Sequence, residues 1–401
     1  MYKIFFYLLF SIFLLNTQAF SGSWDLRGDI STELRYFPED PKFRGQDNYS
    51  FAPSIKIEPE LIYEFNNRND RLTFTPFLRL DLKDENRTHF DIRELNWLHI
   101  GSSWTLLIGV DEVFWGVTES RHLVNIINQT DNVEDIDEED KLGQPMINFL
   151  YESNYGSFDI YLLPYFRERT FPDDDARLRG PLPIDEEAKY ESDLNEFHPD
   201  FAFRWSNIVG DFDIGLSFFY GTSREPRFKA KTNGKGLPEL IPFYNIINQT
   251  GLDLQWTKDA WLLKFEAIGR GGQGDYFVAT VSGFEYTIFQ ILKTNADLGL
   301  LAEYLYDGRD KNEAPITTFD NDLFTGFRLA FNDTQDTEIL GGIITDTDKG
   351  ELFTLLEAAR RVGQSWKVEI EARLFFNTDD DSPANAFSND GFVSLNIGRF
   401  F

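Results

Sequence analysis

Cysteine is absent from the 401 residues, which removes disulfides and thiolate metal sites from consideration. Histidine occurs four times, so imidazole chemistry has few residues to draw on. Basic side chains are in the minority: 38 Lys and Arg against 67 Asp and Glu give a formal charge of −29. That is the wrong sign for binding nucleic acid, which needs clustered Lys and Arg to neutralise phosphates. Beyond the first residues there is no apolar run approaching the roughly 20 residues that a membrane-spanning helix requires.

The beginning of the chain is a different matter. Lys3 precedes an unbroken apolar run from Ile4 to Leu15, followed by Asn16-Thr17-Gln18-Ala19. A basic end, a short apolar core and a small-residue exit form the pattern of a secretory signal peptide, here residues 1–19. The remainder, 20–401, is expected to fold as one unit. Aromatic residues make up 16% of the chain, with 40 Phe, 16 Tyr and 8 Trp, and charged residues make up 26%. Strands with one face in lipid and the other in water combine the two; a large soluble β-protein with an aromatic core is the competing reading.

Period-two alternation identifies eighteen strand candidates of about nine to twelve residues, the length a tilted membrane strand needs. The first is Leu26–Tyr36; the others begin near Ser54, Arg71, Thr88, Ser103, Pro145, Ser157, Phe201, Asp211, Phe243, Trp261, Tyr276, Ala296, Asp322, Thr337, Leu352, Trp366 and Phe392. The connections alternate as well. Tight turns such as Asn154-Tyr155-Gly156 and Val362-Gly363-Gln364 follow even strands, and long loops such as Asp111 to Gln144, Arg167 to Asp200 and Thr222 to Pro242 follow odd ones. Outer-membrane barrels alternate in this way. The expectation is an all-β fold, a transmembrane antiparallel up-and-down barrel of eighteen strands, with sixteen as the alternative. Val393, Leu395 and Ile397 alternate toward the terminal Phe401, the residue expected to signal to the barrel-assembly machinery, while Arg399 occupies a place where an aromatic is more usual.

Eighteen strands enclose more space than side chains fill, so such barrels hold an aqueous channel. Parity then assigns the lumen face: Arg27, Glu33 and Arg35 on the first strand, Lys56, Glu58 and Glu60 on the second, Arg79 and Asp81 on the third, and Lys367, Glu369, Glu371 and Arg373 on the seventeenth. A charge on the lipid face near the midplane costs about 2 to 4 kcal/mol, so four on one strand fix the assignment. These charges either set up a transverse field that orients solutes or pair with one another to stiffen the wall. The loop from Asp111 to Gln144 begins too apolar for solvent, at Val113 to Thr130, and is expected to fold inward and narrow the pore. Acidic runs at Asp131 to Asp140, Asp173–Asp175, Asp185–Glu187 and Asp379–Asp381 read as solvated faces, with divalent cations bridging to lipopolysaccharide as a functional alternative. They lack the glycine and ligand spacing of a helix-loop-helix calcium site.

Arg93-Glu94-Leu95-Asn96-Trp97, followed by Gly109 and Val113-Phe114-Trp115-Gly116, resembles a pattern of porin-like outer-membrane proteins akin to the alginate-export family. The resemblance implies a single-chain barrel for sugars, acidic polymers or other small solutes, and places Arg93, Glu94, Trp115 and Arg121 near a constriction. The mixed-charge wall departs from the basic lumen that a polyanion requires. Catalysis has one candidate pairing, Ser120 with His122, but a nucleophile needs a base and an orienting group converging on it. The expectation is therefore a non-enzymatic channel, without cofactor or resident metal, for passive diffusion of small polar or charged solutes. Its partners would be outer-membrane lipid and lipopolysaccharide of a Gram-negative bacterium, the assembly machinery and the solutes, with monomer and trimer both open. A surface-binding or adhesive barrel, and an outer-membrane hydrolase, are the alternatives.

Overall fold

The computed structural model describes residues 22–232, 234 and 236–401; the signal-peptide segment lies outside the described residues. Twenty-one strands follow one another: β1 (Ser23–Tyr36), β2 (Phe51–Phe65), β3 (Asp70–Asp81), β4 (His89–Ile100), β5 (Trp104–Asp111), β6 (Gln144–Ser153), β7 (Gly156–Leu163), β8 (Lys189–Tyr190), β9 (Asp200–Val209), β10 (Phe212–Thr222), β11 (Arg227–Thr232), β12 (Pro238–Tyr244), β13 (Ile246–Lys258), β14 (Trp261–Gly271), β15 (Phe277–Ile288), β16 (Asp297–Asp307), β17 (Asn321–Ala330), β18 (Glu338–Asp346), β19 (Leu352–Val362), β20 (Trp366–Phe376) and β21 (Phe392–Phe400).

Eighteen of these form one antiparallel sheet in which each strand pairs with its sequence neighbours, and β1 pairs with both β2 and β21, from Asp29↔Phe400 to Tyr36↔Val393. The sheet is a closed barrel. Closure satisfies the backbone groups that an open edge would leave exposed. Sequence alternation located every barrel strand to within a few residues, with one correction. The tenth barrel strand starts at Ile246, and Phe243 belongs to β12, which joins β11 and β8 in a small separate sheet within the loops. The apolar alternation runs straight through Asn245, but the Asn245 carbonyl accepts the Ser223 N–H and its side chain bonds Arg227 and Glu191. Those loop partners break the strand in two.

Short turns gather at one end of the barrel and long connections at the other. The turns use left-handed residues such as Asn66, Asn67, Gly210 and Gly363, which tight strand reversals demand. Outward positions carry Leu26, Ile30 and Leu34 on β1, Phe201 and Phe203 on β9, and Ile370 on β20, all exposed. An exposed apolar band around a closed sheet suits hydrocarbon rather than water. Arg399 faces outward near the turn end and lies over the Trp366 ring at 5.8 Å, so its apolar stem stays on the belt while the charge reaches the interface. Phe401 is exposed, its backbone N–H donating to Gly28 O at 3.1 Å.

The inner wall is not polar all round, as pore-wide parity would have it. From β5 to β18 it presents Leu107, Tyr161, Leu163, Phe219, Ile247, Phe277, Val281, Leu305, Phe324 and Ile344, all buried in one cluster. These residues are inside because a loop covers them.

Candidate functional site

The site begins at a bulge. Thr75 stands opposite Glu94 and Pro76 opposite Ile92, so Arg93 is an extra residue in β4. A bulge re-aims side chains: Arg93 and Glu94, neighbours in sequence, share the lumen face. Pro76, with no N–H to donate, fits where the ladder is broken. A Cβ at Gly143 would lie 2.2 Å from Ile92 O and 2.4 Å from Arg93 O, so the loop's returning end passes the bulge at a distance only glycine permits.

Residues 112–143 leave the wall between β5 and β6 and cross the lumen. Asn128 stitches the neck: its Nδ2 donates to Asp111 O and Leu142 O, both at 2.9 Å, and its Oδ1 accepts from Val113 N at 2.9 Å. The outgoing limb buries Trp115, Leu123, Val124, Ile126 and Ile127 against the apolar wall. Each such side chain contributes about 1.5 to 3 kcal/mol, which is what holds an otherwise irregular segment inside a wide barrel. Trp115, expected near the constriction, is 4% exposed, edge-on to Tyr161 with the Arg204 guanidinium 5.2 Å from its ring. It fills the seam between loop and wall.

Two wall carboxylates clasp the far end of the loop. Glu266 on β14 is fully buried and accepts N–H bonds from Val117 (2.7 Å), Thr118 (3.1 Å) and Val124 (3.2 Å), plus the Thr118 hydroxyl (2.8 Å). Glu303 on β16 accepts from Glu119 N, Ser120 N and Ser120 Oγ at 2.6 to 2.8 Å. Gly116 has φ +144, and a Cβ there would sit 3.0 Å from Glu266 Oε1, so the clasp needs glycine at the bend.

The returning limb lies against the charged sector of wall. Arg79 grips both oxygens of Glu134, Arg93 binds Asp131 at 2.6 Å, and Arg373 binds Asp137 at 2.8 Å. Arg35 donates to Glu134 O, and the Arg93 guanidinium lies 4.2 Å from the Phe77 ring centroid. Arg87, which parity did not reveal because it sits in the short loop before β4, reaches Glu33 (3.0 Å), Asp81 (2.8 Å) and Val133 O (3.0 Å). Other charges pair within the wall: Arg27 with Glu60, Arg35 with Glu33, Lys56 with Glu58, and Lys367 with Glu369. The wall charges thus bind the loop and one another. His89, Asp131 and Glu134 offer three ligand atoms within 4.8 Å of one another, but Arg93 and Arg79 already occupy those carboxylates, and the group reads as an ion-pair network.

Other loop groups are only partly compensated: Glu112 lies 3.9 Å from Arg93 and Asp135 lies 3.6 Å from Arg373. Burial, reinforced by nearby carboxylates, pushes Glu112 up to about 8, Glu139 up to about 7 and Asp135 up to about 6. Burial presses His122 down to about 4; its ring stands edge-on to Phe114, and among the described residues its Nδ1 has no hydrogen-bond partner. Ser120 Oγ is committed to Glu303, so the Ser120–His122 pairing is not assembled in this geometry. Arg121 donates to Thr317 Oγ1 at 3.1 Å and lies 3.7 Å from Asp307.

The loop leaves two cavities. One, of about 640 Å³, runs along β17–β20 and the outgoing limb and includes Arg121; the other, of about 460 Å³, is lined by β1–β4, β20 and the returning limb. They share Asp137, Glu139, Lys141, Glu357 and Arg373. Eleven carboxylates and six cationic side chains line the second cavity. At the loop end, Arg177 ties three connections together through Asp390 (2.5 Å), Tyr49 O and Glu39 O. The acidic runs there mostly cap their own turns, as Asp173 Oδ1 does for Asp174 N and Asp379 Oδ1 for Asp381 N.

No protein-family model matches the chain, and no curated protein does. Among solved structures, a loop L8 deletion mutant of OmpT, an outer membrane protein of Vibrio cholerae, is 10% identical with a TM-score of 0.46, covering 95% of this chain and 99% of that one. A triple mutant of the Rhodopseudomonas blastica porin is 11% identical with a TM-score of 0.45, covering 94% and 100%. Both likenesses concern the fold alone.

Proposed function

We propose that the chain is a porin-type channel of a Gram-negative outer membrane, passing small polar or charged solutes by passive diffusion and preferring cations. The observation that carries this reading is the pairing of a closed barrel, apolar outside, with two cavities, one of them lined mainly by charged side chains, that meet across an inward-folded loop. A wall of this kind sits stably in hydrocarbon while water occupies the lumen. The excess of carboxylates in the second cavity opposes passage of an acidic polymer, which separates this chain from the polyanion export its short motifs suggest. Arg93, Glu94, Arg121 and Arg373 are the constriction residues in this reading, and lipopolysaccharide and the assembly machinery its partners in the membrane.

Planar bilayers test it. Purified protein is expected to give stepwise KCl conductance with a reversal potential displaced toward the cation, and to permit liposome swelling in small sugars. Protein that inserts and neither conducts nor permits swelling favours a surface-binding barrel instead.

A further inference from the structure

At the loop end of the larger cavity, four adjacent strands present one apolar level. Phe324, Ile344, Phe353 and Phe375 stand directly opposite one another in register across β17, β18, β19 and β20. Phe353 and Phe375 have ring centroids 5.0 Å apart, and loop residues Phe319 and Phe387 extend the row at 6.4 and 5.9 Å. Phe319, Phe353, Phe375 and Phe387 line the cavity and are only half-buried. Aromatic faces left against water in a lumen are unsatisfied apolar surface.

One inward position nearer the loop end, the wall turns acidic. Asp322 stands directly opposite Asp346, and the Asp346 N–H donates to Glu351 O. Like charges directly opposite in a sheet destabilise it. Among the described residues, none of these three carboxylates has a cation within ion-pair distance, although the charge of Lys311 reaches Asp346. Asp322 accepts the Asn321 N–H, Asp346 caps the N–H groups of Asp348 and Lys349, and Glu351 accepts Asp379 N and Ser382 Oγ. The nearby cations are spent elsewhere: Lys311 on Asp320, Arg309 on Asp307 and Glu225, and Arg373 on Asp137 and Glu357. Asp322 is 2% exposed and lines the cavity.

We infer that this vestibule binds small organic cations that carry an apolar body, such as primary amines on an aromatic or alkyl group. The ammonium sits at the Asp322–Asp346–Glu351 level and the body lies on the Phe353–Phe375 row. Successive inward positions on a strand are about 7 Å apart, the span of a two-carbon aryl amine. The rings also attract the cation through their faces, and the chain's charge of −29 concentrates cations at the mouth. The inference deepens the channel reading and rests on it.

The test is block of KCl current by 2-phenylethylammonium added on the loop side of a planar bilayer. Block is expected at lower concentration than with methylammonium, which lacks the body, or with 2-phenylethanol and 3-phenylpropionate, which lack the positive charge. Combined Asp322→Asn and Asp346→Asn should raise the half-blocking concentration about tenfold, and Phe353→Ala about fivefold, for a charge pair and a ring face respectively. Phe353→Leu should recover part of the Ala loss, and KCl conductance should persist in all variants, showing that the barrel has formed. Equal or stronger block by 3-phenylpropionate, or block unchanged in both the Asn and the Ala variants, overturns the inference while leaving the channel reading intact. Wild-type protein that inserts without conducting overturns both.

Discussion

The two sides of the inner wall solve one problem by different chemistry. From β5 to β18 the wall holds the outgoing limb of the loop by apolar contact, with Trp115, Val124 and Ile127 against Tyr161, Phe219 and Phe324. From β20 through β21 to β4 it holds the returning limb by ion pairs, with Arg79, Arg93 and Arg373 on Glu134, Asp131 and Asp137. Apolar contact is strong, and it is neither screened by salt nor switched by pH. Ion pairs weaken with salt and depend on the charge state of both partners. The ion-paired side keeps the smaller, acid-rich cavity, while on the apolar side Trp115 closes the seam and the larger cavity opens beside β17–β20.

Removing the loop is expected to have the largest effect. Deleting Val117 to Asn128 strips the apolar wall of its cover and is expected to raise single-channel conductance several-fold with loss of ion preference. Unchanged conductance in planar bilayers would show that the loop does not limit flow. Arg93→Ala leaves Asp131 in a buried position with one cation fewer, a loss of about 3 to 5 kcal/mol for a broken buried pair. A lower urea midpoint and noisier open-channel current are expected; current as quiet as wild type would mean the returning limb does not depend on this ion pair. Glu266→Gln keeps one acceptor oxygen but removes the charge from a clasp on four donors, costing about 1 to 3 kcal/mol. Its signature is a loosened far end of the loop, read as faster proteolysis after Arg121, while the ion-paired limb stays protected.

Proton titration sharpens the same contrast. Glu112, Glu139 and Asp135 carry values raised to about 8, 7 and 6, so each loses its proton as pH rises through that interval. The lumen becomes more negative, and the cation-to-anion permeability ratio should climb between pH 5 and pH 9, by roughly twofold for so few charges. The groups are harder to ionise in the folded chain than when unfolded, so stability should fall as pH rises from about 4.5 to about 8. A flat permeability ratio would place these groups away from the ion path. The smallest effect belongs to Arg27→Ala: its pair with Glu60 is exposed and such pairs contribute about 0 to 1 kcal/mol, so stability should stay within error in urea titration.

Much of this was legible beforehand. Alternation placed eighteen strands and loop length marked the long-loop end. Glu94 was singled out through a short motif, whereas its facing depends on the Arg93 bulge, a one-residue shift that changes which side a residue joins. The clasp residues Glu266 and Glu303 were accessible by parity on their strands, but nothing local distinguishes a carboxylate that faces water from one that accepts backbone N–H groups from a loop some 150 to 180 residues earlier in sequence. Arg87 was hidden for another reason: loop residues have no periodicity to read.

The sequence by itself determined the barrel, because side chains alternate between two faces along a regular strand and a lipid-facing charge is intolerable wherever it falls. It also determined that residues 113–130 leave solvent, since their composition forbids exposure. Only the tertiary structure decided where that segment rests, which wall is apolar and which is charged, and which carboxylates remain without cations. Those outcomes depend on pairings between distant segments, and a buried charge carries meaning only once its partner is known.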